Sequence, residues 1–172
     1  MVHVSNQSTI DPFTLEIVKD SLLSTGDEMF IALARTSMSP IIYEVLDYAS
    51  GLTDAKGQLL TQGNGVTGFI GMLSFMVRQT VEKYGEEGLN PGDIIIINDP
   101  YGGGGSHLSD VGLVMPIFYE GELIAFSANK AHWTEVGGKD PGSLQTIPTR
   151  SSRKDFSSHA LNCMTGVLLI KG

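Results

Sequence analysis

His107 and Asp110 stand three residues apart behind a run of four glycines, in GGGGSHLSDV (102–111), and a second imidazole, His132, closes the largely apolar stretch ELIAFSANKAH. Imidazole and carboxylate are the side chains that hold first-row divalent cations and move protons near neutral pH. A glycine run is costly to order, because each glycine gives up more backbone freedom than any other residue. Bare backbone in front of His107 and Asp110 therefore implies that the chain folds closely over a site there. Two further acids lie nearby. Asp99, in NDP, is either an Asx-type turn former or a carboxylate turned into the site. Glu135, three residues past His132, is either a general acid or base or a solvated loop acid. Trp133 is expected to be packing. A phosphate-cradling loop is rejected, since no Lys-Ser/Thr follows the glycines and a strand, where a helix would be needed, comes next.

The candidates meet only if their strands pair. VGLVMPIFY (111–119) and ELIAFSANKAHW (122–133) are joined by Glu120-Gly121. A two-residue hairpin loop there sets Tyr119 opposite Glu122, and stepping outward puts Ser109 opposite His132 and Asp110 opposite Ala131. Opposed Cβ atoms lie roughly 5 Å apart and diagonal ones roughly 7 to 8 Å, so His107, Asp110 and His132 can gather at the open end of one hairpin. Pro116 favours an edge position or a bulge, which would shift this register. Two imidazoles and a carboxylate on such a frame suit a divalent cation with positions left for water or substrate. Zinc or manganese fits that set better than calcium, which prefers oxygen ligands. The alternative is that each histidine is an ordinary core or surface residue.

At 172 residues, 41% hydrophobic and 17% charged, the chain has the composition of one globular domain with its own core. A formal charge of −8 and the lack of a Lys/Arg cluster argue against nucleic acid as a partner. No basic region followed by a long apolar run opens the chain, and apolar runs such as Ile94–Ile97 are far too short to span a bilayer. These features imply a cytoplasmic protein without a membrane partner. The only cysteine, Cys163, leaves no disulfide framework and no thiolate zinc site, so any metal must use His and carboxylate ligands.

Asp11 is a candidate N-cap with Pro12 at the first helical position. Leu15, Val18, Leu22, Met29 and Leu33 keep the spacing of one buried helix face; Gly26 weakens that helix and Pro40 ends it. YASGLTDAKGQLLTQ (48–62) reads as a hairpin turning at Asp54–Gly57, with Gly57 at positive φ. A second helix runs from about Met72 to Tyr84 with Leu73, Val77, Val81 and Tyr84 on one face. NPGD (90–93) is a turn, and Ile94–Ile97, β-branched throughout, a fully buried strand. The fold class expected is α+β, a helix-flanked mixed sheet with β-hairpins.

DPFTLEIV (11–18), RTSMSPIIYEVLDYASGLTDAKGQLL (35–60), PGDIIIINDPYGGGGSHLSDVGLVMPIF (91–118), GELIAFSANKAHWTEVGG (121–138) and DPGS (140–143) together resemble the N-terminal part of the hydantoinase B family. That family includes subunits of ATP-dependent N-methylhydantoinases, the corresponding half of 5-oxoprolinases, and large subunits of acetone and acetophenone carboxylases. The resemblance runs from about Asp11 to Thr149 and implies His107, Asp110 and His132 as ligands of a divalent metal, zinc or manganese. Where the family usually has Gly-Gly-Thr-His-Leu, this chain has a longer glycine run and Ser106. The resemblance also implies a hydantoinase A-type partner that uses ATP to phosphorylate the substrate oxygen, while this subunit holds the metal-centred chemistry. The expected activity is hydrolysis of a cyclic amide. The alternatives are an acetone/acetophenone-type carboxylase subunit and a non-catalytic, metal-stabilised assembly module.

Residues 1–149 are thus expected to be a truncated hydantoinase B-type N-terminal domain, inactive alone. RSSRKDFSSHALNCMTGVLLIKG (150–172) stops resembling the family. Arg150–Phe156 can be back-translated so that restoring one lost base gives Glu-Ile-Phe-Gln-Glu-Gly-Phe, which resumes the family's type of sequence. Residues 150–172 are therefore read as a frameshifted tail that packs poorly, with His159 and Cys163 lacking functional meaning.

Overall fold

A computed structural model describes residues 11–100, 108–134, 136 and 167–172. Their elements run α1 (Pro12–Thr36), α2 (Pro40–Tyr43), β1 (Tyr48–Asp54), β2 (Leu59–Gln62), α3 (Thr67–Tyr84), β3 (Ile94–Ile97), β4 (Asp110–Tyr119), β5 (Glu122–His132) and β6 (Val167–Ile170). The six strands form one sheet in the order β2-β1-β5-β4-β3-β6. Every described pair is antiparallel, so the α+β class is as expected but the sheet is not mixed. Among the described helices none is long and apolar enough to cross a membrane.

Helices lie on both faces. Phe69, Leu73, Met76 and Val77 of α3 pack on Ala49, Ile95, Ile97, Val114, Phe126 and Ala128, the main core. Burying each large apolar side chain contributes roughly 1.5–3 kcal/mol. Gly112 belongs to this face: a Cβ there would run into Met76. α3 begins five residues before the expected Met72, because Val66 at its N-cap makes no side-chain capping bond and so leaves no start signal in the sequence.

On the other face, the C-terminal half of α1 packs over β1 and β2. Phe30 stacks on Tyr48 with ring centroids 4.3 Å apart, and the buried Tyr48 hydroxyl donates to the Phe30 carbonyl at 2.9 Å. Asp11 caps the helix as expected, accepting from the Thr14 amide. The expected buried stripe holds only in part: Leu22, Met29 and Leu33 are half-buried, whereas Leu15 and Val18 are 54% and 50% exposed. Helical periodicity marks a stripe but not how far the sheet extends beneath it. Gly26, expected to weaken the helix, is its point of closest approach, since a Cβ would sit 2.7 Å from Thr61 Oγ1 and 3.1 Å from the Gln62 carbonyl carbon.

The hairpins form where expected. Asp54 accepts from the amides of Lys56 and Gln58, and Gly57 takes φ 76°. Glu120 and Gly121, at φ 50° and 85°, form the two-residue turn whose positive φ values match strand twist. β3 is buried at Ile95–Ile97, with Ile94 38% exposed.

Most of residues 150–172 lies outside the described residues, but Val167–Ile170 pair with β3 and Leu169 packs on the core. The expected poor packing is thus overturned for the strand pairing and for Leu169, whereas Leu168 and Ile170 are 51% and 46% exposed. Asp93 anchors the two residues after β6, accepting from the Lys171 ammonium at 3.2 Å and the Gly172 amide at 3.2 Å, as well as from Asn90. Burial raises its pKa, but the Asn90 and Gly172 amides and the Lys171 charge outweigh that and hold it below the ordinary 3.8.

Two outcomes are expected from this packing. Gly26→Leu should lower the urea unfolding free energy by about 1–3 kcal/mol through overpacking, whereas Gly71→Ala, in α3 with open space around it, should raise it by about 0.5–1 kcal/mol. A carboxylate with a depressed pKa stabilises above its unfolded value and loses that contribution as pH falls through the folded one. The amide NMR shifts of residues 168–170 should accordingly stay folded at neutral pH and move to coil positions below about pH 4.

Candidate functional site

β4 and β5 keep the two-residue turn but not the expected register. Tyr119 faces Glu122 and Phe118 faces Leu123, then a bulge skips Ile124, so Ile117 faces Ala125 and Asp110 faces His132 directly. The extra residue is expelled, leaving Ile124 46% exposed. Asp110 opposite Ala131, and Ser109 opposite His132, are thus corrected by one residue. A bulge of this kind, which Pro116 had signalled, adds one residue on one strand and shifts all pairs beyond it. It brings the carboxylate and the imidazole onto the last rung of the ladder.

His132 Nδ1 lies 3.6 Å from Asp110 Oδ1 and 4.0 Å from Asp47 Oδ2; the Asp110 side chain is 1% exposed, that of His132 10% and that of Asp47 33%. These separations exceed a direct hydrogen bond. The backbone locks the same corner: the His132 amide donates to Asp47 O at 3.0 Å and the Trp133 amide to Ser109 O at 2.8 Å. Asn98, buried at the end of β3, donates its amide to Leu108 O at 3.3 Å, tying down the start of β4.

Asp47 was missed by the sequence reading. It precedes β1, and only the pairing of Tyr48 with Ala131 brings it beside His132. Nothing local in EVLDYAS says which strand β1 joins on its far side. Lys130 was missed too, although Phe126, Ala128 and Lys130 share one phase of β5. Its side chain is wholly buried, and its ammonium donates to Asp110 O at 3.0 Å and lies 5.9 Å from the Phe69 ring centroid. Burial pushes its pKa below 10.5, with the Asp110 charge opposing.

Of the expected site residues, Asp110 and His132 are brought together. Asp99 is half-buried just beyond β3. His107 and Glu135 lie outside the described residues. Trp133 packs beside Ile42, Tyr48 and Ala131 as expected. Among the described residues no group of three or more His, Cys, Asp or Glu side chains forms a ready metal site. What the described residues supply is an imidazole facing two carboxylates, with an ammonium beneath.

The family model described as Hydantoinase B/oxoprolinase matches residues 11–152. A putative D-/L-hydantoinase subunit from Pseudomonas sp. (strain NS671) is 40% identical over 142 residues, 80% of this chain and 24% of its own length. Among solved structures, the nucleotide-free acetone carboxylase, from work on ATP-dependent acetone carboxylation, superposes with a TM-score of 0.70 at 25% identity over 77% of this chain and 18% of that one. The ATP-dependent caprolactamase from Pseudomonas jessenii superposes with a TM-score of 0.64 at 29% identity over 77% of this chain and 22% of that one. The chain spans about a quarter or less of the length of the curated relatives it matches.

The Asp110 charge favours the buried Lys130 ammonium although that ammonium hydrogen-bonds the Asp110 backbone carbonyl, and a buried charge that loses its compensation is costly. Asp110→Asn, which keeps the shape but strips the charge beside Lys130, should therefore lower the urea unfolding free energy by about 3 kcal/mol. The exposed Glu16→Gln, whose partner Lys19 is equally solvated, should change it by less than about 1 kcal/mol.

Proposed function

The chain belongs to the hydantoinase B/oxoprolinase family, and from that membership we propose that it contributes a divalent-cation site to an ATP-dependent hydrolase acting on a cyclic amide. The observation that carries this reading is the convergence of the His132 imidazole on the Asp110 and Asp47 carboxylates. Donors each about 2.0–2.2 Å from a tetrahedral zinc sit about 3.3–3.6 Å from one another. The observed 3.6 Å lies at the upper limit of that span and the 4.0 Å beyond it, so the imidazole and the two carboxylates would have to draw closer to hold zinc or manganese. His107, one residue before Leu108, is proposed as the second imidazole.

When bound, such a cation polarises an oxygen or makes a coordinated water more acidic. The protein's own part is to hold the donors on a rigid ladder and to shield them from bulk water. Asp99 and Glu135 are proposed to move protons to and from the reacting group. ATP would be used by a hydantoinase A-type partner, which activates the ring carbonyl by phosphorylating its oxygen. Water then attacks the carbonyl carbon, the C–N bond breaks as the ring nitrogen takes up a proton, and the acyl phosphate that results is hydrolysed by a second water to the carboxylate and inorganic phosphate.

The relatives named as subunits support a partnered enzyme, and the caprolactamase and 5-oxoprolinase relatives support amide hydrolysis. A second reading, carboxylation of a ketone through its enolate, is supported by the likeness to acetone carboxylase. A third, a metal-stabilised assembly module, differs from both in what metal removal does.

The corresponding full-length subunit, assembled with its ATP-using partner, should show ATP-dependent turnover of one of 5-oxoproline, a hydantoin, caprolactam or acetone. Chelation should abolish that turnover while leaving the complex intact. His132→Ala should lower it by at least about 100-fold, and the 172-residue chain alone should turn nothing over. Dissociation of the complex on chelation, with no turnover to lose, would instead identify an assembly module.

A further inference from the structure

Lys130 is a primary ammonium with no exposed surface in the interior of a strand. Burial of such a group is expensive unless partners compensate it. Strand packing does not demand it, because Phe126 and Ala128 fill the preceding positions of the same face with apolar groups. Its location is specific. Lys130 pairs with Gly112, and its side chain runs diagonally across the ladder toward the start of β4. There it donates to the carbonyl of Asp110 at 3.0 Å. The next residue on its own face is His132, which pairs with Asp110. One buried cation thus lies under both members of the terminal carboxylate–imidazole rung.

We propose that Lys130 is a positioning residue for the cation site, anchoring the Asp110 carbonyl and holding its carboxylate toward His132 before any cation is bound. The inference rests on the metal reading above and adds to it the device that keeps the donors in place. A lysine with only a packing role behaves differently: replaced by a methionine of similar length, it leaves the site's local exchange and cation affinity unchanged, whatever the loss of a charge beside Asp110 does to global stability.

The experiment compares the 172-residue chain with Lys130→Met and Lys130→Arg, using Co2+ absorption spectroscopy for affinity and amide hydrogen exchange on the metal-free protein. Lys130→Met should bind Co2+ at least about 10-fold more weakly. In the metal-free variant the His132 and Trp133 amides should exchange faster while those of α3 do not change. Lys130→Arg should recover most of both. Wild-type affinity and wild-type exchange in Lys130→Met would overturn the proposal. Should the wild-type chain bind no Co2+, the metal reading fails, and exchange decides the positioning role alone: acceleration confined to the rung supports it, and unchanged exchange overturns it. If Lys130→Met does not fold, Lys130→Gln, which keeps a donor and removes the charge, makes the same comparison.

Discussion

The pairing of Asp110 with His132 on the last rung of the β4–β5 ladder is the constraint on which the rest of the structure depends. Without the bulge at Ile124 the carboxylate would face Ala131, on the opposite side of the sheet from the imidazole, because side chains alternate strictly along a strand. One expelled residue puts both groups on the α3 face. Everything adjoining that rung then acts to hold it: Asn98 on the Leu108 carbonyl, Asp47 on the His132 amide, Ser109 on the Trp133 amide and Lys130 on the Asp110 carbonyl. The helices supply the pressure behind it. α3 seals the face that carries the rung, and the stacked Phe30–Tyr48 pair fixes the start of β1, the position that delivers Asp47.

Much of this was legible in the sequence, for reasons that differ by element. The turn at Glu120-Gly121, the hairpin at Asp54–Gly57, the N-cap at Asp11 and the strand at Ile94–Ile97 all arise from local chemistry. Long-range partners do not. The pairing of β1 with β5, which adds Asp47 to the site, leaves no local mark, and neither does the end of the sheet beneath α1, which leaves Leu15 and Val18 exposed. The register error has the same origin. Pro116 gave warning of a bulge, but which residue is expelled depends on packing across the sheet. Lys130 was overlooked because lysine within a strand ordinarily reads as solvent-facing, although its phase with Phe126 and Ala128 places it inside.

Membership of the hydantoinase B/oxoprolinase family and the geometry of this rung bear on one another. The relatives include a caprolactamase and, among solved structures, an acetone carboxylase, and both reactions are named as ATP-dependent. Imidazole and carboxylate side chains would serve either reaction only through a cation they held, as proposed, because the carboxylates alone would repel a developing oxyanion.

Whether this rung holds a cation is decided by X-ray absorption at the zinc edge of the Zn2+-loaded chain. A cation held at this rung should show a first shell of nitrogen and oxygen donors at about 2.0–2.2 Å, with the outer-shell scattering of coordinated imidazole reduced in His132→Ala. A first shell without imidazole, or one identical in wild type and His132→Ala, would contradict a cation site at this rung.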